Sequence, residues 1–289
     1  MGKRKTPALQ QGIPAQSVLC SIRETQSMKS KKQTHTPFSA VVVARDEEHI
    51  IARCLQALLP VANEVLLVDS GSKDRTPQIA ESLGARVLHT TWQGYAQTKN
   101  FANRQARHDW ILSIDADEVL SEALQQSLQQ WTARPHTAYA LDRLTNYCGQ
   151  WVRHSGWYPD WKIRLFDRRE ARWEGAFVHE YLHLPKGTEI IRLTGKLKHY
   201  SYKDEEDHLR RIERYARLSA LQMLEQNRKP GRLKEILAPP ARFIRTLLLK
   251  QGFLDGRLGW KLASRDALLV RRKYEWLRQL QNQKAEKKS

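Results

Sequence analysis

From Phe38 onward the chain switches repeatedly between two hydrophobic textures. Phe38-Ser39-Ala40-Val41-Val42-Val43-Ala44 is a β-rich apolar run of the kind found in strands covered on both faces. A polar turn, Arg45-Asp46-Glu47-Glu48, follows, and then Ile50, Ile51, Cys54, Leu55 and Leu58 recur at helical spacing. Glu64-Val65-Leu66-Leu67-Val68-Asp69 reads as a second strand. The turn from Ser70 to Arg75 leads into a helix with Thr76 as its expected N-cap, Pro77 in its first turn and Gly84 at its end. Arg86 to His89 predicts a third strand, residues 95 to 107 a third helix, and Trp110 to Ile114 a fourth strand closing on Asp115.

Strands and helices that alternate in this way predict an α/β fold: a mostly parallel, Rossmann-like sheet flanked by helices, whose ligands bind beyond the C-terminal strand ends. Residues 131 to 203 are rich in aromatic side chains and Arg and short of helical period, which predicts a mixed or antiparallel extension of the sheet. Beyond Asp207 the pattern is helical again. Leu209, Ile212, Ala216 and Met223 share one face, Pro239-Pro240 precedes Phe243, Ile244, Leu247 and Leu248, and a last helix presents Val270, Tyr274 and Leu277. Residues 1–36 carry scattered Lys and Arg with no apolar period and read as a disordered basic leader. The expected organisation is therefore 1–36 leader, 37–204 α/β domain, and 205–289 basic amphipathic helical extension.

Charge changes this picture chiefly at the C-terminus. Arg and Lys outnumber Asp and Glu by 49 to 31 over 289 residues, and from His208 to the end the count is 21 to 7. So basic a tail implies a polyanionic partner. Its amphipathic helices, with Trp260 and Trp276 near the Arg clusters, fit an anionic membrane surface, where each basic residue contributes about 1 kcal/mol. Nucleic acid is the competing polyanion, but no recognition signature for it occurs. The three cysteines, Cys20, Cys54 and Cys148, form no pair at metal or redox spacing, which fits a reducing, cytoplasmic compartment. No run reaches the 18 or so apolar residues of a membrane helix, so any membrane contact is expected to be peripheral.

The strand-end rule nominates Ala44 to Glu47, Asp69 to Asp74 and Asp115 to Glu118 as one acidic cleft. Mg²⁺ or Mn²⁺ is commonly held by one or two carboxylates plus a substrate's phosphates, and Asp117 at a strand end suits that role. Asp115 could address a ribose or a metal-bound water. Asp69 could accept from a base N–H or a ribose hydroxyl, with Gly71 allowing close backbone approach. Taken singly, each motif has a plainer explanation: Asp117 as cap of a helix starting near Val119, and Asp69 to Ser72 as a turn. Their arrival at successive strand ends favours the functional one.

Val42-Val43-Ala44-Arg45-Asp46-Glu47-Glu48, Val68 to Thr76, and Ser113-Ile114-Asp115-Ala116-Asp117-Glu118 resemble the three nucleotide-sugar signatures of family 2 glycosyltransferases with the GT-A fold. The resemblance covers about residues 38 to 200. It implies an inverting transferase in which the Glu47 region and Asp69 hold the nucleotide and Asp117 holds the metal, with Ala44, Arg45, Gly71, Asp74 and Asp115 as the further donor-site candidates. Asp115 is also a candidate for the metal, and His199, which follows the sheet, could complete the metal or diphosphate site or simply satisfy a local hydrogen bond. Gly94 to Ala102, Arg164-Leu165-Phe166 and Val178-His179-Glu180 are similar to bacterial lipopolysaccharide-core β-1,4-glucosyltransferases, which adds Lys99 and Arg164 to the donor site. Those enzymes imply a UDP-sugar donor, glucose first, and an inner-core heptose, a lipid-anchored saccharide, as acceptor. A capsule or other cell-surface glycan is the alternative acceptor, and a non-catalytic basic module for membrane or nucleic acid is the alternative class.

Inversion needs a base opposite the leaving diphosphate. Glu180 is expected there, because the aromatic, Gly-containing stretch before it suits a sugar-facing loop. His179 is its rival and Asp160 the reserve. Trp151, Trp157, Tyr158 and Trp161 are candidates for stacking on sugars, and Arg153 and Lys162 for meeting phosphates.

Overall fold

β1 (Phe38–Ala44) is buried along nearly its whole length, as its unbroken apolar run requires. β2 (Glu64–Asp69) is buried throughout, and β3 (Arg86–His89) and β4 (Trp110–Asp115) complete the first half of the sheet. The order is β3-β2-β1-β4, and every pairing in it is parallel. Register sets Ala44 opposite Asp69 and Val43 opposite Asp115, so the three acidic strand ends lie at one level. This computed structural model describes residues 35–175, 180–228 and 231–286, so all of the basic leader but its last two residues, and His179, lie outside the described residues.

Helices cover both faces. α1 (Ile51–Leu58) buries Ile51, Cys54, Leu55 and Leu58 against one side of the sheet, together with Leu124 and Leu128 of α4 (Glu122–Gln129). α3 (Tyr95–Gln105) buries Ala96 and Ala102 against the other. Each Leu taken wholly from water contributes about 1.5–3 kcal/mol, so these stripes hold the layers together. α2 (Thr76–Ser82) starts one residue earlier than a Thr76 cap would place it. Asp74 accepts from the Thr76 N–H (2.9 Å), while the Thr76 hydroxyl accepts from the Glu47 N–H (2.8 Å), tying α2 to the loop after β1.

The second half of the sheet is mixed, as expected. β8 (Asp160–Asp167) pairs antiparallel with β4 and with β6 (Thr137–Tyr147), and β11 (Glu189–Tyr202) pairs parallel with β6. β5 (Glu118–Leu120), where a helix start was a competing expectation, is instead a short strand antiparallel to β11. The helix that follows is capped by Ser121, whose hydroxyl accepts from the Leu124 N–H (3.3 Å), so Asp117 is left uninvolved in capping. β7 (Gln150–Trp151) extends β6 as a hairpin, and β9 (Arg172–Glu174) and β10 (Tyr181–His183) form a separate ribbon.

α5 (Glu205–Glu225), α6 (Arg232–Ile244) and α7 (Arg257–Glu286) form the C-terminal extension, with a π turn (Arg245–Leu249) and a 3-10 turn (Gly252–Asp255) between the last two. Ile212 and Ala216 face inward but Leu209 is on the exposed side. α6 runs through Pro239 and Pro240 rather than beginning after them, and the π turn continues directly from its end. Val270, Tyr274 and Leu277 are buried as their spacing predicts. No described helix is long and apolar enough to cross a membrane.

Candidate active site

The loops after β1 and β2 are laced together. Lys73 N–H donates to Asp46 Oδ1 (2.7 Å), Asp46 N–H to the Ser72 hydroxyl (2.9 Å), and Glu48 N–H to Asp74 Oδ2 (3.0 Å). Asp69, buried at the end of β2, closes its own loop by accepting from the Gly71 N–H (3.3 Å) and the Ser72 N–H (3.2 Å), and it faces His89 Nδ1 at 3.1 Å. Gly71 has φ +96°, a conformation that glycine adopts without strain, and no atom lies within 4 Å of where its Cβ would be. A planar ligand therefore meets backbone here, not a side-chain wall. Glu47 sits behind this loop. Burial, and next the nearby Asp117 carboxylate, push its pKa up to about 7.

Asp115 lies at the centre of a chain of alternating charges. Its Oδ1 accepts from Lys99 Nζ (2.9 Å) and its Oδ2 from Arg164 Nη2 (2.6 Å); the same Arg164 nitrogen reaches Glu118 Oε1 at 2.6 Å. Lys99 is also 3.9 Å from Glu180 Oε1, and Glu118 is 3.5 Å from Arg143, which in turn holds Asp160 at 2.6 Å beside Lys162. Burial alone would raise the pKa of Asp115, but Arg164 and Lys99 outweigh it and hold the carboxyl far below the usual range. Arg164 and Glu118 are themselves buried, and Glu118 also accepts from the Asp115 N–H (3.0 Å). The network therefore fixes where Asp115 points.

Asp117 and His199 form a separate pair, with Nε2 3.3 Å from Oδ2. β11 delivers the histidine: His199 pairs with Glu118, and Tyr200 N–H donates to the Asp117 carbonyl (2.8 Å). The other ring nitrogen, Nδ1, is 3.3 Å from the Thr145 hydroxyl, which aims Nε2 toward the carboxylate. Among the described residues no group of three or more His, Cys, Asp or Glu side chains is preassembled for a metal. One carboxylate and one imidazole, both partly accessible, nevertheless fit Mg²⁺ or Mn²⁺ whose remaining ligands come from phosphates and water. Asp115 does not join that pair, because both its oxygens are occupied by cations.

Two pockets adjoin these groups. One, of about 750 Å³, opens beside the β1–α1 loop and is walled by Trp151 and Tyr200, whose rings lie 5.6 Å apart, with Arg53 stacked 4.3 Å from the Tyr200 centroid. The other, of about 300 Å³, is lined by Arg143, Trp157, Asp160 and His199. His199 and Ser201 face the smaller pocket and Tyr200 the larger, as strand alternation along β11 dictates, while Tyr202 at the strand end reaches both.

The family model described as Glycosyl transferase family 2 matches residues 39–184, just over half of the chain. The chain belongs to glycosyl transferase family 2. LpsC, a lipopolysaccharide core biosynthesis glycosyltransferase of Rhizobium meliloti, is 30% identical over 217 residues, 72% of this chain and 80% of that one. An uncharacterized glycosyltransferase of Rickettsia typhi is 28% identical over 75% of this chain and 78% of its own length. Among solved structures, glucosyl-3-phosphoglycerate synthase from Mycobacterium tuberculosis, in complex with Mn²⁺, uridine diphosphate and glucosyl-3-phosphoglycerate, aligns at 20% identity over 38% of this chain and 44% of that one. Its TM-score of 0.32 is too low to carry an argument about the site.

In this glycosyltransferase the expected donor residues are brought together: Ala44, Arg45, Glu47, Asp69, Gly71 and Asp74 line two adjacent loops, and Lys99 and Arg164 converge on Asp115. Glu180 is half-buried beside Lys99, immediately after the undescribed residues 176–179. Asp160 stands at the far end of the charge chain. Burial opposes its ionisation, but Arg143 and Lys162 prevail and keep its pKa low, which makes it a weak base. Of the four aromatic candidates, Trp151 and Trp157 reach pockets, whereas the Tyr158 hydroxyl donates to Asp142 (2.9 Å) and Trp161 lies under Arg192. Trp276 is turned inward, with its N–H donating to Glu213 (2.7 Å). Arg143, Arg53 and Tyr200 were not singled out from sequence, and Glu118 appeared there only as the end of the nominated Asp115 to Glu118 segment, with no role of its own. Only Glu118, adjacent to the acidic triplet, carried a local signal; Arg143 and Tyr200 lie on strands whose register no motif announces.

Proposed function

We propose that this family 2 glycosyltransferase performs an inverting transfer of a hexose, glucose in the first instance, from a UDP-sugar to the inner-core heptose of lipopolysaccharide. The Asp117–His199 pair, standing beside a cation-locked Asp115 at the carboxyl ends of parallel strands, carries the reading. Asp69 and the Gly71 backbone receive the nucleotide, and Arg45, Glu47 and Asp74 complete its loops. Asp117 and His199 hold Mg²⁺ or Mn²⁺, which when bound offsets the charge developing on the leaving diphosphate. Asp115, oriented by Lys99 and Arg164, addresses the ribose or a bound water.

Glu180 takes the proton from the attacking acceptor hydroxyl as that oxygen bonds to the anomeric carbon and the diphosphate departs from the opposite face. Its separation from the Asp117–His199 pair by Lys99 and Asp115 suits a base on the acceptor side. The similarity to LpsC supports a lipopolysaccharide-type acceptor. The basic extension brings the enzyme to the anionic inner face of the membrane, where such an acceptor is anchored.

Calorimetry with uridine diphosphate tests the donor site: binding is expected to strengthen at least tenfold with Mn²⁺ in the native chain and to lose that gain in Asp117→Asn. Metal-independent binding would sink the assignment. Glu180→Gln should bind donor normally while transfer falls by about 10²–10⁴, and an active variant would move the base to His179.

A further inference from the structure

Charge alone can bring the C-terminal helices to an anionic surface, yet the extension also displays an apolar ridge that charge does not call for. α6 turns its hydrophobic stripe away from the protein. Leu233, Ile236, Leu237 and Ile244 fall at helical spacing and are all exposed, Leu233 at 71% and Ile236 at 69%. The opposite side meets α7, where Glu235 lies 3.5 Å from Arg278. The ridge continues through the two turns, with Leu249 exposed at 79% and Phe253 at 50%. It ends at exposed Trp260, whose ring is 5.7 Å from Phe243. Exposed apolar residues on a soluble surface are ordinarily scattered, not joined into a ridge across four consecutive elements.

The charges around the ridge select its occupant. Residues 231–261 contain seven Arg or Lys and two acids. Both acids are turned inward, Glu235 to Arg278 and Asp255 to the loop at 153–155, while Arg232, Lys234, Arg245 and Arg257 are exposed beside the apolar stripe. A second copy of the same face would bring like charges together, whereas an anionic bilayer offers hydrocarbon to the stripe and headgroup phosphates to its flanks.

The ridge is also fastened to the catalytic half. Asp255 accepts from the N–H groups of Arg153 (3.0 Å) and His154 (3.1 Å) and from the Ser155 hydroxyl (2.8 Å). The next residue, Gly156, lies so close to the Lys250 side chain that an added Cβ would meet it at 2.4 Å. Gly156 and Trp157 line the 300 Å³ pocket beside His199.

We infer that the ridge from Leu233 to Trp260 inserts into the headgroup and acyl boundary of an anionic bilayer, and so sets the smaller pocket at the membrane surface. This rests on the proposed lipid-anchored acceptor and deepens it: charge draws the enzyme in, and the apolar ridge fixes depth and orientation. The saccharide of a lipid-anchored acceptor then enters the pocket from the membrane side.

The test uses the full chain and vesicles of phosphatidylcholine mixed with phosphatidylglycerol, whose negative surface potential attracts a basic face. The native protein should sediment with them, and brominated lipid should quench Trp260, read as the difference from Trp260→Phe. Leu249→Ser combined with Phe253→Ser should weaken sedimentation about tenfold or more and abolish the quenching. Mn²⁺-dependent uridine diphosphate binding should be unchanged in this variant, because neither residue belongs to the donor site. Equal vesicle binding by the variant and the native chain, with no bromine quenching of Trp260 in the native chain, would overturn insertion and leave docking by charge alone. No binding by the native chain would overturn both insertion and the membrane part of the proposed function. A native dimer that the substitutions convert to monomer, with vesicle binding unaltered, would assign the ridge to a second copy.

Discussion

Arg164 decides the electrostatics of the acidic cleft. It is a buried cation between two carboxylates, and its single Nη2 reaches both at 2.6 Å. Breaking a buried ion network by removing one partner typically costs about 3–5 kcal/mol, because the remaining charges lose compensation without regaining water. Arg164→Met should therefore lower the free energy of unfolding by about that amount in urea titrations. Arg164→Lys keeps the charge but not the planar fork, and should fall between the two. An Arg164→Met protein as stable as the native one would show that Lys99 and Arg143 suffice. The same network explains why Asp115 and Asp117, two residues apart, differ chemically: one carboxylate is spent on internal cations and the other faces an imidazole.

At the scale of elements, Gly195 controls how β11 passes α4. Its φ is +107°, and a Cβ there would lie 2.3 Å from the Leu124 backbone nitrogen. β11 shifts register between Arg192 and Lys196, and the shift carries the strand past the helix start toward its pairing with β5. Gly195→Ala thus meets both an unfavourable backbone conformation and immovable backbone, with an expected loss of about 2–4 kcal/mol, measurable as a lowered Tm. Because the same segment delivers His199 to Asp117, the variant should also lose Mn²⁺-dependent nucleotide binding. A stable variant with normal metal dependence would show that the bulge does not position His199.

Over the whole molecule, the extension is joined to the catalytic half through His208, buried at the start of α5 with Nδ1 3.0 Å from the Tyr147 hydroxyl. Burial, then the Arg265 charge, depress its pKa to about 4 from the usual 6.5. With the folded value below the unfolded one, its contribution to stability is complete above pH 6.5 and is lost as pH falls toward 4. The native chain should lose up to about 3 kcal/mol across that window relative to His208→Gln, read as the difference between two urea-unfolding pH profiles. Parallel profiles would remove His208 from the acid response.

Much of the parallel half of the sheet was legible along the chain. Its strands are short, continuous apolar runs, its helices carry strong 3.6-residue stripes, and parallel topology puts strand ends on one edge, so local pattern determined that Ala44, Asp69 and Asp115 would meet. Which carboxylate is left unpaired by internal cations was not determined locally. That depends on Lys99, Arg164 and Arg143 arriving from one helix and two strands up to 49 residues away in sequence. His199 was nameable but could be placed only by the pairing of β11 with β5. The outward stripe of α6 was invisible for a related reason. Periodicity shows that a helix has an apolar face, but only tertiary packing decides whether that face is covered, and here α7 took the other side.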